Sequence, residues 1–239
     1  MWAVPCIWVA RILDAWMLLL VTLHTPRLHM PSCTRHARAV ARYNDGGGGC
    51  FPLHYDNPGP PNRRKLTCLV YLNPAWVDGD GGELVVQQFG GETVVIPPLH
   101  DRLALFYSDR VLHHVLPARR PRYCFTVWID GVEGSVNTDE DVLLRAKHLR
   151  VGSGASEPSR EDVAAAAERL RNSPLQRALS RSVYREAYER SLIECQGEGA
   201  PCMVEAHRDA VCAAEATPAL NRLVGHLRTY SKDQPTRTI

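Results

Sequence analysis

The sequence predicts a mainly β protein, a barrel or double-sheet jelly roll, with one helix before it and a helical region after it (α+β overall). Between residues 39 and 132, eight short runs rich in β-branched and aromatic residues are separated by Gly, Pro, Asn and Asp. Eight strands at such close spacing are typical of closed barrels and jelly rolls. One long apolar stretch precedes these runs, and apolar residues recur at helical spacing after them.

The composition is that of an ordinary globular protein. The 239 residues are 45% hydrophobic and 23% charged, enough for one good-sized core or two small ones. The formal net charge of +2 is too small to indicate binding to nucleic acid or to an anionic membrane. We therefore expect neither as a partner, and the composition does not predict an oligomeric state.

The first zone, residues 1–38, begins with the apolar stretch MWAVPCIWVARILDAWMLLLVTLH. Arg11 and Asp14 interrupt it, and the apolar run that remains, residues 15–23, is too short to span a bilayer. No basic residue precedes Arg11, although a signal peptide would require one. We predict a buried helix followed by a loop that supports the barrel, with a signal or anchor as the alternative.

The second zone, residues 39–132, supplies the predicted β core. Its strands are expected in the runs RAVARYN, GCFPLHYDN, KLTCLVYLN, GELVVQQF, TVVIPP, RLALFYS, VLHHVLP and RYCFTVWID. Four consecutive glycines at 46–49 separate the first two runs. No Lys-Ser/Thr pair follows these glycines, so they predict a flexible loop rather than a phosphate-binding one.

The third zone, residues 133–239, is predicted to be a helical C-terminal extension of about four helices. Capping-box patterns occur at 138–141 and at 159–162, and Thr217 with Pro218 is a plausible helix start. The sequence does not indicate what this extension does.

The eight cysteines show no C-x-x-C pattern, and most of them lie in apolar runs. This pattern favours reduced, buried thiols over a disulfide framework, and hence a cytoplasmic or nuclear protein. Cys195, Cys202 and Cys212 are expected to be ordinary thiols.

The motif HYD carries the first chemical signal. His54 and Asp56 are two residues apart in an extended run, so they project from the same face, as a hydrogen-bonded pair or as two ligands of one metal. A third ligand is available from His113 or His114, which face opposite ways, and periodicity alone does not choose between them. Two histidines and one carboxylate leave three coordination positions open, the facial arrangement of non-haem Fe(II) oxygenases.

The strand PRYCFTVWID carries a candidate anion-binding residue. Arg122, Thr126 and Trp128 alternate onto one face of it. An arginine inside a barrel is costly unless it meets an anion, and its planar fork suits a carboxylate. Thr126 would add a hydroxyl donor. An oxygenase that binds a dicarboxylic keto acid would need this combination.

These motifs resemble the Fe(II)/2-oxoglutarate dioxygenases, and most closely the prolyl 4-hydroxylases of the oxygen-sensing, hypoxia-inducible-factor type. The resemblance covers roughly residues 40–131 and rests on HYDNP, LTCLVYLNPAW, GGELVV, DRLALFYSDR and RYCFTVWI in the same order. It implies a double-stranded β-helix, and it selects His113 over His114 as the third ligand. The glycine run at 46–49 is about one residue longer than the family pattern.

The resemblance also implies the cofactors. Fe(II) would be held by His54, Asp56 and His113, and 2-oxoglutarate would pair with Arg122. Dioxygen would be the oxidant, and ascorbate would serve as a reductant. The residues implied around the cosubstrate and substrate are Tyr43, Tyr71, Leu84, Thr126 and Trp128.

The expected activity is hydroxylation of a C–H bond, foremost of a prolyl residue in a protein or peptide substrate. One alternative is a related dioxygenase that acts on another substrate. Another is a non-catalytic module that keeps the barrel and uses the helical region to contact a partner.

Overall fold

The computed structural model describes residues 2–4, 7–11, 37–131, 139, 142–143, 157–171 and 173–239. The strands are β1 Trp2–Val4, β2 Ile7–Arg11, β3 Ala37–Asp45, β4 Phe51–His54, β5 Arg64–Tyr71, β6 Leu84–Gln87, β7 Thr93–Ile96, β8 Arg102–Tyr107, β9 Leu112–Val115, β10 Pro121–Asp130 and β11 Thr236–Thr238. The helices are α1 Arg160–Leu170, α2 Pro174–Val183, α3 Arg185–Gln196, α4 Ala200–Glu215 and α5 Pro218–Lys232, with a 3-10 turn at Gly197–Gly199.

The strands form two sheets that together make a double-stranded β-helix. The first sheet has the order β1-β2-β8-β5-β10-β3, and the second has the order β11-β7-β6-β9-β4. From β3 to β10 the chain passes repeatedly from one sheet to the other, and these strands pair antiparallel. The predicted jelly roll is therefore confirmed, and each of the eight predicted runs overlaps one of the strands β3–β10.

The space between the sheets is filled because alternate side chains point inward. Thr67, Leu69 and Tyr71 of β5 are buried, while the residues between them are more exposed. Leu84 of the second sheet and Phe106 of the first are completely buried in the same apolar cluster. This alternation is the period of two expected of a strand with one buried face.

The N-terminal prediction is wrong for the residues that can be compared. Trp2–Val4 and Ile7–Arg11 are strands, and β2 pairs antiparallel with β8 from Ile7↔Phe106 to Arg11↔Arg102. The open edge of β8 offers backbone partners that a helix here would leave unused, and the buried Val9 joins the core. A short apolar run does not by itself distinguish a strand from a helix. The rest of the predicted helix, residues 12–24, lies outside the described residues.

The C-terminal region is helical where it is described, with five helices instead of about four. Ser159 and Asp162 form the predicted capping box at α1, and Thr217 precedes Pro218 at the start of α5. The pattern at 138–141 falls largely outside the described residues. Strand β11, which pairs parallel with β7, was not predicted. Across the described part of the chain, no helix is both long enough and apolar enough to cross a membrane.

The helices pack against the outside of the second sheet. Leu53, Tyr55 and Leu112 of the β core share one apolar cluster with helical residues such as Leu179 and Val183. The barrel therefore has two apolar surfaces: an inner one between the sheets and an outer one that the helices cover.

A disulfide joins Cys50, next to β4, to Cys195 in α3. The expectation that Cys195 is an ordinary thiol is therefore wrong. The two Cα atoms are 5.4 Å apart, within the range that a disulfide spans, although 145 residues separate them in the chain. This proximity comes from the docking of α3 on β4, which the spacing of cysteines could not show.

Candidate metal centre and cosubstrate pocket

Three side chains that can bind a metal meet at the end of the second sheet. His54 of β4 lies opposite His113 of β9 in the antiparallel register, and their ring centroids are 4.3 Å apart. Asp56 follows two residues after His54. Its Oδ1 lies 3.5 Å from His54 Nε2, and its Oδ2 lies 3.8 Å from His113 Nε2. One ligand atom from each residue falls within 4.8 Å of the others, so the three could hold one ion.

Hydrogen bonds orient both imidazoles for coordination. His54 Nδ1 lies 2.7 Å from the carbonyl oxygen of Pro52, and His113 Nδ1 lies 3.0 Å from that of Val111. A carbonyl only accepts, so each Nδ1 carries the proton and each Nε2 offers its lone pair. Metal-binding histidines are usually held in this way, by a carbonyl on the ring nitrogen that does not coordinate. The donor set therefore fits a divalent metal such as Fe(II).

Electrostatics keep these groups in the protonation states that a metal requires. Burial works to raise the pKa of Asp56, but the close contacts with His54 and His113 and the hydrogen bond from the Thr67 hydroxyl bring that pKa well below its usual range. Thr67 Oγ1 donates to Asp56 Oδ2 at 2.6 Å. Burial also lowers the pKa of His113 to about 4. At neutral pH the carboxyl is thus ionised and the His113 imidazole is neutral, as metal ligands must be.

The structure brings His113, and not His114, next to Asp56. His113 is buried in the core side of β9, where its ring also lies 4.8 Å from that of Phe106. His114 takes no part in the cluster of possible ligands. Adjacent residues of a strand face opposite ways, so only one of the two can reach the site.

A cavity of about 50 Å³ opens beside the triad. The predicted residues Arg122, Thr126, Leu84 and Trp128 line it together with the triad. Further lining residues that the sequence did not single out include Arg42 and Phe51.

Arg122 is buried in this cavity, only 2% exposed, with no carboxylate partner among the described residues. Its Nε donates to the carbonyl oxygen of Gly82 at 2.7 Å, and its Nη1 donates weakly to Asn44 Oδ1 at 3.4 Å. A buried guanidinium without a countercharge is unfavourable, so the site fits an anionic ligand. The planar fork is suited to a carboxylate, such as the distal one of 2-oxoglutarate.

Tyr71 supplies a second unsatisfied group at the same place. Its side chain is completely buried, and no residue in the described ranges accepts or donates a hydrogen bond at its hydroxyl. Burial raises the pKa of this hydroxyl to about 12, against the influence of the Arg122 charge, so it stays a donor. A buried hydroxyl that lacks a partner beside a buried arginine is the arrangement expected of a carboxylate site.

The structure corrects the assignment of Tyr43. Tyr43 is 57% exposed and stacks on Tyr123, with ring centroids 4.9 Å apart, on the outer face of the first sheet. Its neighbour Asn44 is buried and pairs with Arg122 across β3 and β10. Asn44 and Arg42 therefore occupy the inner face that was expected for Tyr43. Alternation along β3, once its register with β10 is known, would have identified both.

Comparisons with known proteins agree with this geometry. Residues 39–130 match the family model of the 2OG-Fe(II) oxygenase superfamily. The prolyl hydroxylase EGLN3 of Mus musculus is 36% identical over 100 residues, which make up 41% of this chain and 41% of that protein. The PKHD-type hydroxylase of Caulobacter vibrioides is 33% identical over 123 residues, with 46% and 52% of the two chains covered. This chain therefore spans only about two fifths to one half of the length of these curated relatives.

A solved structure extends the similarity to the helices. A prolyl 4-hydroxylase structure from Phytophthora capsici is 37% identical and superposes with a TM-score of 0.70. The match covers 92% of this chain and 72% of the other. It therefore reaches well beyond residues 39–130 and includes helices of the C-terminal region.

Proposed function

The chain belongs to the 2OG-Fe(II) oxygenase superfamily and, within it, to the prolyl 4-hydroxylases, and from this premise we propose that it hydroxylates prolyl residues of a protein or peptide. Fe(II), 2-oxoglutarate and dioxygen are the cofactors and cosubstrates of this proposal, with ascorbate as a reductant. The observation that carries it is one cavity in which three metal-ligand side chains face a buried arginine that lacks a countercharge.

Each residue of the site would have a defined task. His54, Asp56 and His113 would hold Fe(II) from one side and leave the other side open to the cavity. Bound Fe(II) would let dioxygen act as the oxidant: one of its oxygen atoms would enter the succinate formed as 2-oxoglutarate loses carbon dioxide, and the other would convert the substrate C–H into an alcohol.

The chain's own residues orient and shield these reactants. Arg122 and the Tyr71 hydroxyl would bind the distal carboxylate and so direct the keto acid end toward the triad. Thr126 would add a hydroxyl donor, and the completely buried Leu84 would keep water from the cosubstrate.

The substrate would enter where the cavity is open. His54 is 38% exposed and marks this side of the triad. Trp128 lies at the same side, with the guanidinium groups of Arg42 and Arg64 over its ring at 5.6 and 4.0 Å. A prolyl substrate is supported by the relatives, whose names specify prolyl hydroxylases.

Succinate production tests this proposal. Purified protein is supplied anaerobically with Fe(II) and 2-oxoglutarate, then with air and a panel of proline-containing peptides, and Arg122→Ala serves as the control. We expect peptide-dependent succinate, a product peptide heavier by one oxygen atom, and loss of both in the control. Succinate stimulated only by another class of compound would identify a related dioxygenase instead. Folded protein that binds no Fe(II) and forms no succinate would support a non-catalytic module.

We also propose the cytoplasm or the nucleus as the compartment, because Cys68 and Cys124 are free thiols in the β core. The Cys50–Cys195 disulfide is the feature that bears against this proposal. Counting free thiols in protein alkylated directly in cell lysate distinguishes a reducing compartment from an oxidising one. Protection of Cys50 and Cys195 in most of the molecules would favour an oxidising compartment.

A further inference from the structure

We propose that Ser191 of helix α3 is a positioning residue for the metal centre, acting on His54 through a single peptide group. This inference rests on the proposed function, because it assigns the helical region a part in holding the iron ligands. The Pro52–Leu53 peptide group lies between the two residues. Its N–H points to the helix, and its carbonyl points to the histidine.

The contacts on both sides of this peptide group are short. Leu53 N–H donates to Ser191 Oγ at 2.9 Å, and the carbonyl oxygen of Pro52 accepts from His54 Nδ1 at 2.7 Å. A peptide group is planar, so fixing the direction of its N–H also fixes the direction of its carbonyl. The rotation of the His54 ring, and with it the direction of Nε2, therefore depends on the hydroxyl of a helix outside the barrel.

Strand β4 needs such external support. It has only four residues and lies at the edge of the second sheet, so on one side it has no neighbouring strand from the described part of the chain. Its pairing with β9 is irregular between Phe51 and His54. Ser191 occupies the open side, and its own hydroxyl donates to the carbonyl oxygen of Tyr188 at 2.9 Å. The serine is thus fully hydrogen-bonded and 4% exposed.

Tyr55, between the ligands His54 and Asp56, anchors the same segment. His54 and Asp56 face the cavity, so Tyr55 points the other way, into the helical cluster. Its hydroxyl donates to Ser180 Oγ at 2.6 Å, since the Ser180 hydroxyl itself donates to the carbonyl oxygen of Gln176. The His54–Asp56 segment is thereby attached to the helices at two points: just before it, at Leu53, by α3, and within it, at Tyr55, by α2.

Helix α2 also reaches the strand of the third ligand. Gln176 Nε2 donates to the backbone carbonyl of Arg110, one residue before Val111, whose carbonyl orients His113. The helical layer therefore contacts both segments that carry the ligands: the backbone at Leu53 and Arg110, and the side chain of Tyr55. This arrangement gives the extension, residues 133–239, a role that its sequence did not indicate.

Tyr184 offers a matched control within the same interface. It is a buried residue between α2 and α3, and like that of Ser191 its hydroxyl accepts from a barrel N–H, that of Gly90 at 2.7 Å, and donates to a backbone carbonyl, that of Gln88. This contact lies at the turn between β6 and β7, which carries no metal ligand. Loss of either hydroxyl should cost similar stability, but only Ser191 should affect the metal.

The test compares Ser191→Ala, Ser191→Thr and Tyr184→Phe in the full chain. Fe(II) affinity is measured anaerobically by competition with a chelator, and the thermal midpoint of the metal-free protein is measured in parallel. We expect Ser191→Ala to weaken Fe(II) binding by about tenfold, as other residues behind metal ligands do. Ser191→Thr, which keeps the hydroxyl, should restore most of the affinity. Tyr184→Phe should lower the midpoint while Fe(II) affinity stays within about twofold of the wild type.

Two outcomes separate this inference from the proposed function. Equal Fe(II) affinity in Ser191→Ala and Tyr184→Phe would show that Ser191 only packs the interface, which overturns the inference. The proposed function would still stand if the wild type turned over peptide. A wild type that binds Fe(II) but forms no succinate would overturn the proposed reaction and leave the affinity comparison valid. If Ser191→Ala does not fold, Ser191→Cys, whose sulfur is only a weak hydrogen-bond acceptor, replaces it, and Fe(II) affinity equal to that of the wild type in this variant would overturn the inference.

Discussion

The guanidinium of Arg122 lies over the ring of Tyr71, with 5.2 Å between its Cζ and the ring centroid. Both side chains are buried, and in the described part of the chain neither meets a carboxylate. The Tyr71 hydroxyl has no hydrogen-bond partner there either. A buried hydroxyl without a partner and a buried guanidinium without a countercharge are both unfavourable, and a bound carboxylate would relieve both.

Tyr71→Phe separates these two effects. Removal of the unsatisfied hydroxyl should raise the free energy of unfolding by up to about 1 kcal/mol, since a buried group without a partner is destabilising. The KM for 2-oxoglutarate should rise about tenfold, because a hydrogen bond to a charged carboxylate is lost. Chemical denaturation and steady-state kinetics measure the two quantities. A fall in stability with unchanged KM would mean that the hydroxyl is bonded within the protein.

Thr67→Val tests the support of the carboxylate ligand. Thr67 Oγ1 donates to Asp56 Oδ2 at 2.6 Å and is completely buried. Valine has a similar shape but cannot donate, so Asp56 should be less well oriented and Fe(II) affinity should fall by about tenfold or more. Anaerobic titration with Fe(II) measures the loss. Thr67→Ser, which keeps the donor, is the control. Equal affinity of the valine and serine variants would contradict a role for this hydrogen bond.

Most of the fold and of the metal site follows from local patterns in the sequence. The strands β3–β10 were predictable because each is rich in β-branched and aromatic residues and ends at turn residues. His54 and Asp56 were predictable because residues two apart in a strand project from the same face. The choice of His113 over His114 was not, because both sit in apolar surroundings along the chain; it came from a family resemblance.

The predictions that failed concern features that depend on contacts between residues far apart in the sequence. Strand β2 forms because the edge of β8 is open, and the Cys50–Cys195 disulfide forms because α3 docks on β4. The family resemblance placed Tyr43 on the inner face of β3. The glycine run at 46–49, between Tyr43 and His54, is about one residue longer than the family pattern, so that assignment is displaced by one residue. In a strand, a shift by one residue reverses every side chain, so Asn44 faces Arg122 instead.

Gly82→Ala should damage the cosubstrate site. Gly82 has a φ of +77°, and a Cβ at this position would lie 2.6 Å from Arg122 Cδ. The arginine would have to move, so the KM for 2-oxoglutarate should rise about tenfold or more, alongside a stability loss of about 1 kcal/mol from the backbone conformation.

Gly79→Ala provides the matched control for this substitution. Gly79 has a φ of +93°, but a Cβ there would meet no atom within 4 Å. Its replacement should therefore cost similar stability and leave the KM unchanged. If both variants raise the KM equally, the effect comes from the mobility of the glycine-containing turn and not from contact with Arg122.

Thiol alkylation should separate the free cysteines by pH. Burial raises the pKa of Cys68 to about 11, and only the thiolate reacts, so at pH 8 about one thousandth of Cys68 is reactive. Cys202 and Cys212 are exposed. With iodoacetamide at pH 8, mass spectrometry should show Cys202 and Cys212 modified well before Cys68. Because a raised pKa suppresses the thiolate only below that pKa, the Cys68 rate should increase more than about a hundredfold between pH 8 and pH 10.5 in protein that remains folded. Modification of Cys68 at pH 8 as fast as that of Cys202 would show that β5 is open to solvent at this position.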